Sequence, residues 1–158
     1  MAATDTAWGK VVAAIKTACT TARADVHWFT MLDRDPSEPL TSADLPGVII
    51  GLLKVDFSYH LEQGQMRHDG QIAFSLNSGI VGSLNIDPVN QDIAASIVST
   101  LAASDLLGGR VDFLDPVSLD PTEQEAADVG EALLIFACQF YTPTDDFRRI
   151  IGRGGLTF

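Results

Sequence analysis

The side chains able to carry chemistry are few and scattered. The chain has three histidines, His27, His60 and His68, and two cysteines, Cys19 and Cys138. His60 and His68 flank a polar stretch and could face each other across a hairpin tip. A metal pair there lacks a third ligand and the tight or i, i+4 spacing of zinc sites, so solvated loop histidines are the default reading. His27 sits beside Trp28 and reads as a partly buried structural residue. Nucleophilic catalysis has no Gly-x-Ser-x-Gly elbow to work from. Cys138 lies inside an apolar run, a setting that raises a thiol pKa and leaves it inert. Cys19 falls in a helical pattern, no metal-type cysteine spacing exists, and both cysteines read as reduced core residues. Gly152-Arg153-Gly154-Gly155 has the glycine content of a phosphate-cradling loop, but it follows no strand and precedes no helix. Its place near the end of the sequence reads as flexibility. The carboxylates single out no acid–base pair. The expectation is a protein with no catalytic residues, no metal and no cofactor.

The elements that would position these groups are easier to read. Thr6 to Arg23 carries Trp8, Val11, Val12, Ile15, Ala18, Cys19 and Ala22 at three- and four-residue steps, one apolar stripe of a helix. Thr4, Asp5 or Thr6 could cap its start. Val26 to Leu32 is a short strand or a turn of helix, and Asp33 to Pro46 is a proline-rich acidic loop. Gly47 to Phe57 is a strand, and Gln71 to Asn77 alternates cleanly. Adjacent in sequence and joined by the polar Ser58 to Gly70, they predict an antiparallel pair with a long projecting tip. Gly79 to Asn85 supports no regular assignment. Asp87-Pro88 opens a second helix, with Ile93, Ile97 and Leu101 repeating every four residues, which ends in Leu106-Leu107-Gly108-Gly109. Val111 to Leu114 is a short strand, Asp115 to Gly130 a long polar loop, and Gly130 to Thr142 a closing strand. Pro143 to Phe158 shows no packing period.

These elements predict one α+β domain over residues 1–142, a mainly antiparallel sheet packed against two amphipathic helices, followed by a C-terminal extension over 143–158. At 158 residues and 46% hydrophobic composition the chain can bury a core without disulfides. The N-terminus has neither the charge nor the apolar run of a signal peptide. No apolar run approaches membrane-spanning length, so no membrane is expected.

Charge excludes another class. A net charge of −11 is wrong for gripping phosphate backbones, although an acidic wall lets DNA slide past. From Asp112 to Glu131 there are seven acids and no Lys or Arg, whereas Arg148, Arg149 and Arg153 cluster near the end with Phe147, Ile150, Ile151, Leu156 and Phe158. A solvated loop plus a loose tail is the plain reading. The sharper one is an acidic body with a basic, partly apolar tail that docks on a neighbouring copy, a heterologous contact of the kind that closes into rings.

The order of elements resembles the tail terminator (tail completion) proteins of long-tailed bacteriophages. The likeness runs roughly from Trp8 to Thr142. It rests on the opening helix and the turn Ala43-Asp44-Leu45-Pro46-Gly47-Val48-Ile49-Ile50 into an aliphatic strand. The polar hairpin into Ile72 to Leu76, the helix from Asp87-Pro88 to Leu106-Leu107, and the closing strand Leu133 to Tyr141 complete it. The resemblance implies a virion protein, assembled in the host cytoplasm. It implies a ring, commonly a hexamer, seated on the last ring of tail tube protein, which ends polymerisation and offers a surface to head-completion or neck proteins. DNA passes through without specific binding. A head–tail connector ring is the nearest alternative, and a small-ligand-binding α+β domain, with its pocket between sheet and helices, the alternative outside that class. Candidate interface residues are Tyr59, His60, Gln63, Gln65, Arg67 and His68 at the hairpin tip; Asp115, Asp120, Glu123, Glu125 and Asp128 in the acidic loop; and Phe147, Arg148, Arg149 and Arg153 in the extension. The tail departs from the family pattern and is expected to clasp an adjacent subunit.

Overall fold

The computed structural model describes residues 5–34, 38, 40–60, 63–80, 85–121 and 130–158. Five strands form one sheet in the order β1-β2-β3-β5-β4: β1 His27–Thr30, β2 Gly47–His60, β3 Gln65–Asn77, β4 Phe113–Pro121 and β5 Glu131–Pro143. Only β1 is parallel to its neighbour. Helices α1 (Ala7–Ala22) and α2 (Pro88–Ala103) pack on one face and on each other. The expected α+β fold, a mainly antiparallel sheet against two helices, is what the chain adopts.

The centre is the β3–β5 pair, thirteen residues in unbroken antiparallel register from Gln65↔Pro143 to Asn77↔Glu131. Strand side chains alternate between faces, and every second residue of β5, from Ala132 to Thr142, is buried. The buried set meets Ile72, Phe74 and Leu76 of β3, with Phe74 and Phe136 edge to face at 5.5 Å. The apolar stripe of α1 (Val11, Val12, Ile15, Cys19) and Ile93, Ala94, Ile97 and Leu101 of α2 close over it.

Local chemistry starts each helix. Thr6 accepts a hydrogen bond from Gly9 N–H through its side chain, an N-cap. Asp87 does the same for Asn90 N–H, with Pro88 at the first helical position. Asp87 is itself buried and also accepts from Ser78 Oγ and Asn90 Nδ2, which ties the end of β3 to α2. Arg23 joins α1 to α2 through Asp92 (2.8 Å) and Ser96.

Four expectations are corrected. The hairpin strands do not stop at Phe57 and restart at Gln71: pairing continues to His60↔Gln65. Residues 58–60 and 65–70 alternate between a half-exposed outer row and an inner row holding buried Met66, His68 and Gly70, and strand pairing, not mean polarity, decides their state. The polar loop from Asp115 is in its first part the edge strand β4, so Asp115 and Asp120 are strand residues. The second helix ends at Ala103, four residues before Leu107. A single left-handed turn, Asp105–Gly109, follows, with positive φ at Asp105, Leu106 and Leu107 as well as at the glycines. Left-handed backbone costs L-residues about 1–2 kcal/mol each. It is held here by Ser104 Oγ accepting from Leu107 N–H and by burial of the Leu107 side chain.

The fourth correction concerns the tail. Ile150 is fully buried in the common core. Ile151 N–H donates to Tyr141 O, and Ile150 and Phe158 exchange both backbone hydrogen bonds. The Gly152–Gly155 stretch is the folded turn of this small loop, with positive φ at Gly154 and Gly155. Lys10 Nζ donates to Arg148 O at 2.8 Å. The plain reading of a loose tail fails because its apolar residues pack without a period, as a short hairpin laid against the end of β5. Ile150→Ala should therefore lower the unfolding free energy by about 2–5 kcal/mol. Urea denaturation reads this directly, and an unchanged midpoint would remove the tail from the core.

Candidate interaction surface

The sheet brings the hairpin tip and the tail together at one end of the molecule. Phe57 on β2 stacks on Phe147 of the tail (5.5 Å between centroids, 16° between planes). His68 sits beneath them, buried to 1% exposure, stacked on Phe140 at 4.8 Å and edge-on to Phe57 and Phe147. Trp8 Nε1–H donates to His68 Nδ1 at 3.1 Å. An indole N–H only donates, so Nδ1 is the bare nitrogen and Nε2 carries the proton, facing Thr142 Oγ1 at 2.9 Å. The Thr142 hydroxyl donates in turn to Pro143 O at 3.0 Å. This chain links α1, β3 and β5 beneath the aromatic lid. It leaves His68 neutral: burial pushes its pKa down to about 4, with Asp69 pulling weakly the other way.

His68 is therefore a core residue, not a solvated loop histidine. It cannot face His60, which pairs with Gln65 on the opposite face and lies edge-on to Tyr141 at 5.5 Å. Among the described residues no group of three His, Cys, Asp or Glu is placed to hold a metal. Burial pushes both Cys19 and Cys138 up to about 12.

The other predicted interface residues divide by location. Tyr59 and Gln63 are exposed at the tip. Arg67 lies on the outer sheet face, paired with Asp69 at 2.8 Å. Arg148, beside the aromatic cluster, and Arg149 are exposed, and Arg153 approaches Asp105 at 3.7 Å. An open cleft of about 560 Å³ lies there, walled by Trp8, Phe57, His68 and Phe147 and rimmed by Asp145, Asp146 and Arg148. Asp115 and Asp120 run along the β4 edge away from this end. Glu123, Glu125 and Asp128 lie outside the described residues. The chain thus gathers the tip and the tail and leaves the acidic strand apart.

The two sheet edges differ. β4 is blunted by Pro116, Pro121, a bulge between Pro116 and Ser118, and exposed Asp115 and Asp120, the devices that discourage strand addition. At the other edge β1 covers only Gly47 to Ile50 of β2. From Leu52 to His60, no described residue pairs with the outer side of β2. That stretch is also where exposed apolar surface concentrates: Leu52 at 40%, Leu53 at 54%, Phe57 at 52% and Tyr59 at 67%, next to exposed Met31 and Leu32. Sequence reasoning missed this edge, since a strand's apolar residues show nothing about which neighbour is absent.

The geometry defines a one-sheet α+β domain with helices on one face and its distinctive chemistry at the sheet edges and one end. No protein-family model matches the sequence, and no curated protein matches it. Among solved structures the fold aligns with a chain of the virion of a native gene transfer agent (GTA) particle, with a TM-score of 0.56. The alignment covers 84% of this chain and 95% of that one, at 16% identity. At that identity the likeness is one of fold.

His68 yields a pH prediction. Its folded pKa of about 4 lies below the ordinary value of 6.5, so between these pH values the unfolded chain binds more protons and stability rises with pH. The contribution is complete above pH 6.5 and lost as pH falls towards 4, on the order of 3 kcal/mol. His68→Gln should abolish this part of the slope in denaturation curves taken from pH 7 to 4; a slope equal to that of the unaltered protein would show that His68 does not supply it.

Proposed function

We propose that this chain is a structural protein of a phage-type virion and acts as its tail terminator. Copies close into a ring, commonly of six, on the last ring of tail tube protein. The ring ends tube polymerisation and presents its free side to head-completion or neck proteins. The protein works by contact and performs no bond-making reaction of its own.

The observation that carries this reading is the fold alignment with a chain from a virion particle, nearly complete along that chain. Three features support it. The net charge of −11 suits a passage along which DNA moves without adhering. The two edges of the sheet differ chemically, as a cap must differ between the side that binds tube and the side that refuses it. The tail is welded to the body through Ile150 and the Phe57–Phe147 stack, so the end that carries Arg148 and Arg149 is a firm surface, as repeated docking around a ring requires.

The test uses the tail tube protein encoded with this chain. Added to growing tubes, the purified protein should stop elongation, and negative-stain images should show a ring at one end of each tube. Tubes that lengthen at an unchanged rate, or a ring that binds the head side and ignores tubes, would overturn the terminator assignment.

A further inference from the structure

We propose that the free edge of β2 is a two-fold contact between copies of this chain, in which residues 51–58 of one copy pair antiparallel with the same residues of a second, centred on Val55. The inference does not depend on the ring, which uses heterologous contacts.

An edge strand with open backbone groups accepts another strand unless something blunts it. β4 is blunted, and β2 beyond Ile50 is not: from Leu52 to His60 it has no proline, and its two charges have opposite sign. Lys54 and Asp56 lie on the same face of the strand, 3.3 Å apart and about two-thirds exposed. Charge selects the register. Centring on Asp56 would set two carboxylates directly opposite each other, which destabilises a strand pair. Centring on Val55 sets Lys54 of each copy opposite Asp56 of the other, so each cation lies between two carboxylates.

The remaining side chains agree. The bulge between Leu52 and Lys54 makes Leu53 an extra residue. Carried past it, the register puts Phe57 of one copy against Leu52 and Leu53 of the other, and Ser58 against Gly51. Tyr59 then reaches the end of β1, where the second copy has a cavity of about 160 Å³ bordered by Met31, Leu32, Ile50, Gly51 and Leu52. Met31, Leu32, Leu52, Leu53, Phe57 and Tyr59 are all exposed in the single chain, and one contact covers them together. The pairing also continues the sheet across two molecules, ten strands in all, and satisfies the open edge of both.

The test needs three variants of the full chain. In Val55→Cys the new thiols face each other across the two-fold axis, within the reach of a disulfide, while native Cys19 and Cys138 are buried. Mild oxidation should yield a covalent dimer; a ring built from other surfaces brings no two residues 55 together, so absence of this dimer overturns the contact. Lys54→Asp and Asp56→Lys each place like charges opposite one another and should each weaken self-association about tenfold in sedimentation velocity. Mixed in equal amounts they restore both opposed pairs and should associate as the unaltered chain does. Either single variant associating normally, or a mixture that stays apart, would equally overturn the proposal.

Discussion

The β3–β5 ladder is the constraint on which the remaining structure rests. A slip of β5 by one residue would turn Phe136 and Phe140 out to solvent and bring Gln139 and Tyr141 inside. Because thirteen consecutive pairs share one buried face, that exchange would be paid along the whole strand. Both helices lie on residues this register delivers. The His68 hydrogen bonds depend on it too, since His68↔Phe140 and Met66↔Thr142 are neighbouring pairs of the same ladder.

Several polar groups inside this core tie one element to another. His68, Thr142 and Asp87 are each buried and each hydrogen-bonded to partners on other elements. A buried polar group without a partner costs about 1–3 kcal/mol, so these residues favour one arrangement of α1, α2 and the strand ends over looser ones. Gly70 serves the same end by absence: a Cβ there would overlap the Trp8 ring, and without it the indole lies close against β3, where it reaches His68. The result is a body whose differences lie at its boundaries, with one sheet edge defended by acids and prolines and the other apolar and, among the described residues, unpaired beyond Ile50.

Much of the core was legible in the sequence because it obeys local periods. The α1 stripe, the Asp87-Pro88 helix start and the alternation of Ile72, Phe74 and Leu76 each repeat at the spacing of the element that forms. The candidate surface was legible only in part. The tip at Tyr59 and His60 is legible but its length is not, because Ser58, Arg67 and Asp69 are polar for the outer face of a sheet and not for a loop. Asp115 and Asp120 read as loop for the same reason. The packing of the tail was not legible, because Ile150, Ile151 and Phe158 pack through one short hairpin with no repeat to detect.

The sequence by itself determined the fold class, the two helices, the buried faces of β3 and β5 and the acidic character of the surface, since each follows from composition or from a period carried by neighbouring residues. Only the tertiary structure decided that His68 is a neutral core residue, that Ile150 of the tail packs in the common core, and that β2 outruns β1 with no described residue pairing with its outer side beyond Ile50. Each of those depends on which distant residue lies alongside: Trp8 and Thr142 beside His68, Tyr141 beside Ile151, and beyond Ile50 no continuation of β1 beside β2. Proximity of that kind is set by the closing of the sheet, and no stretch of neighbouring residues contains it.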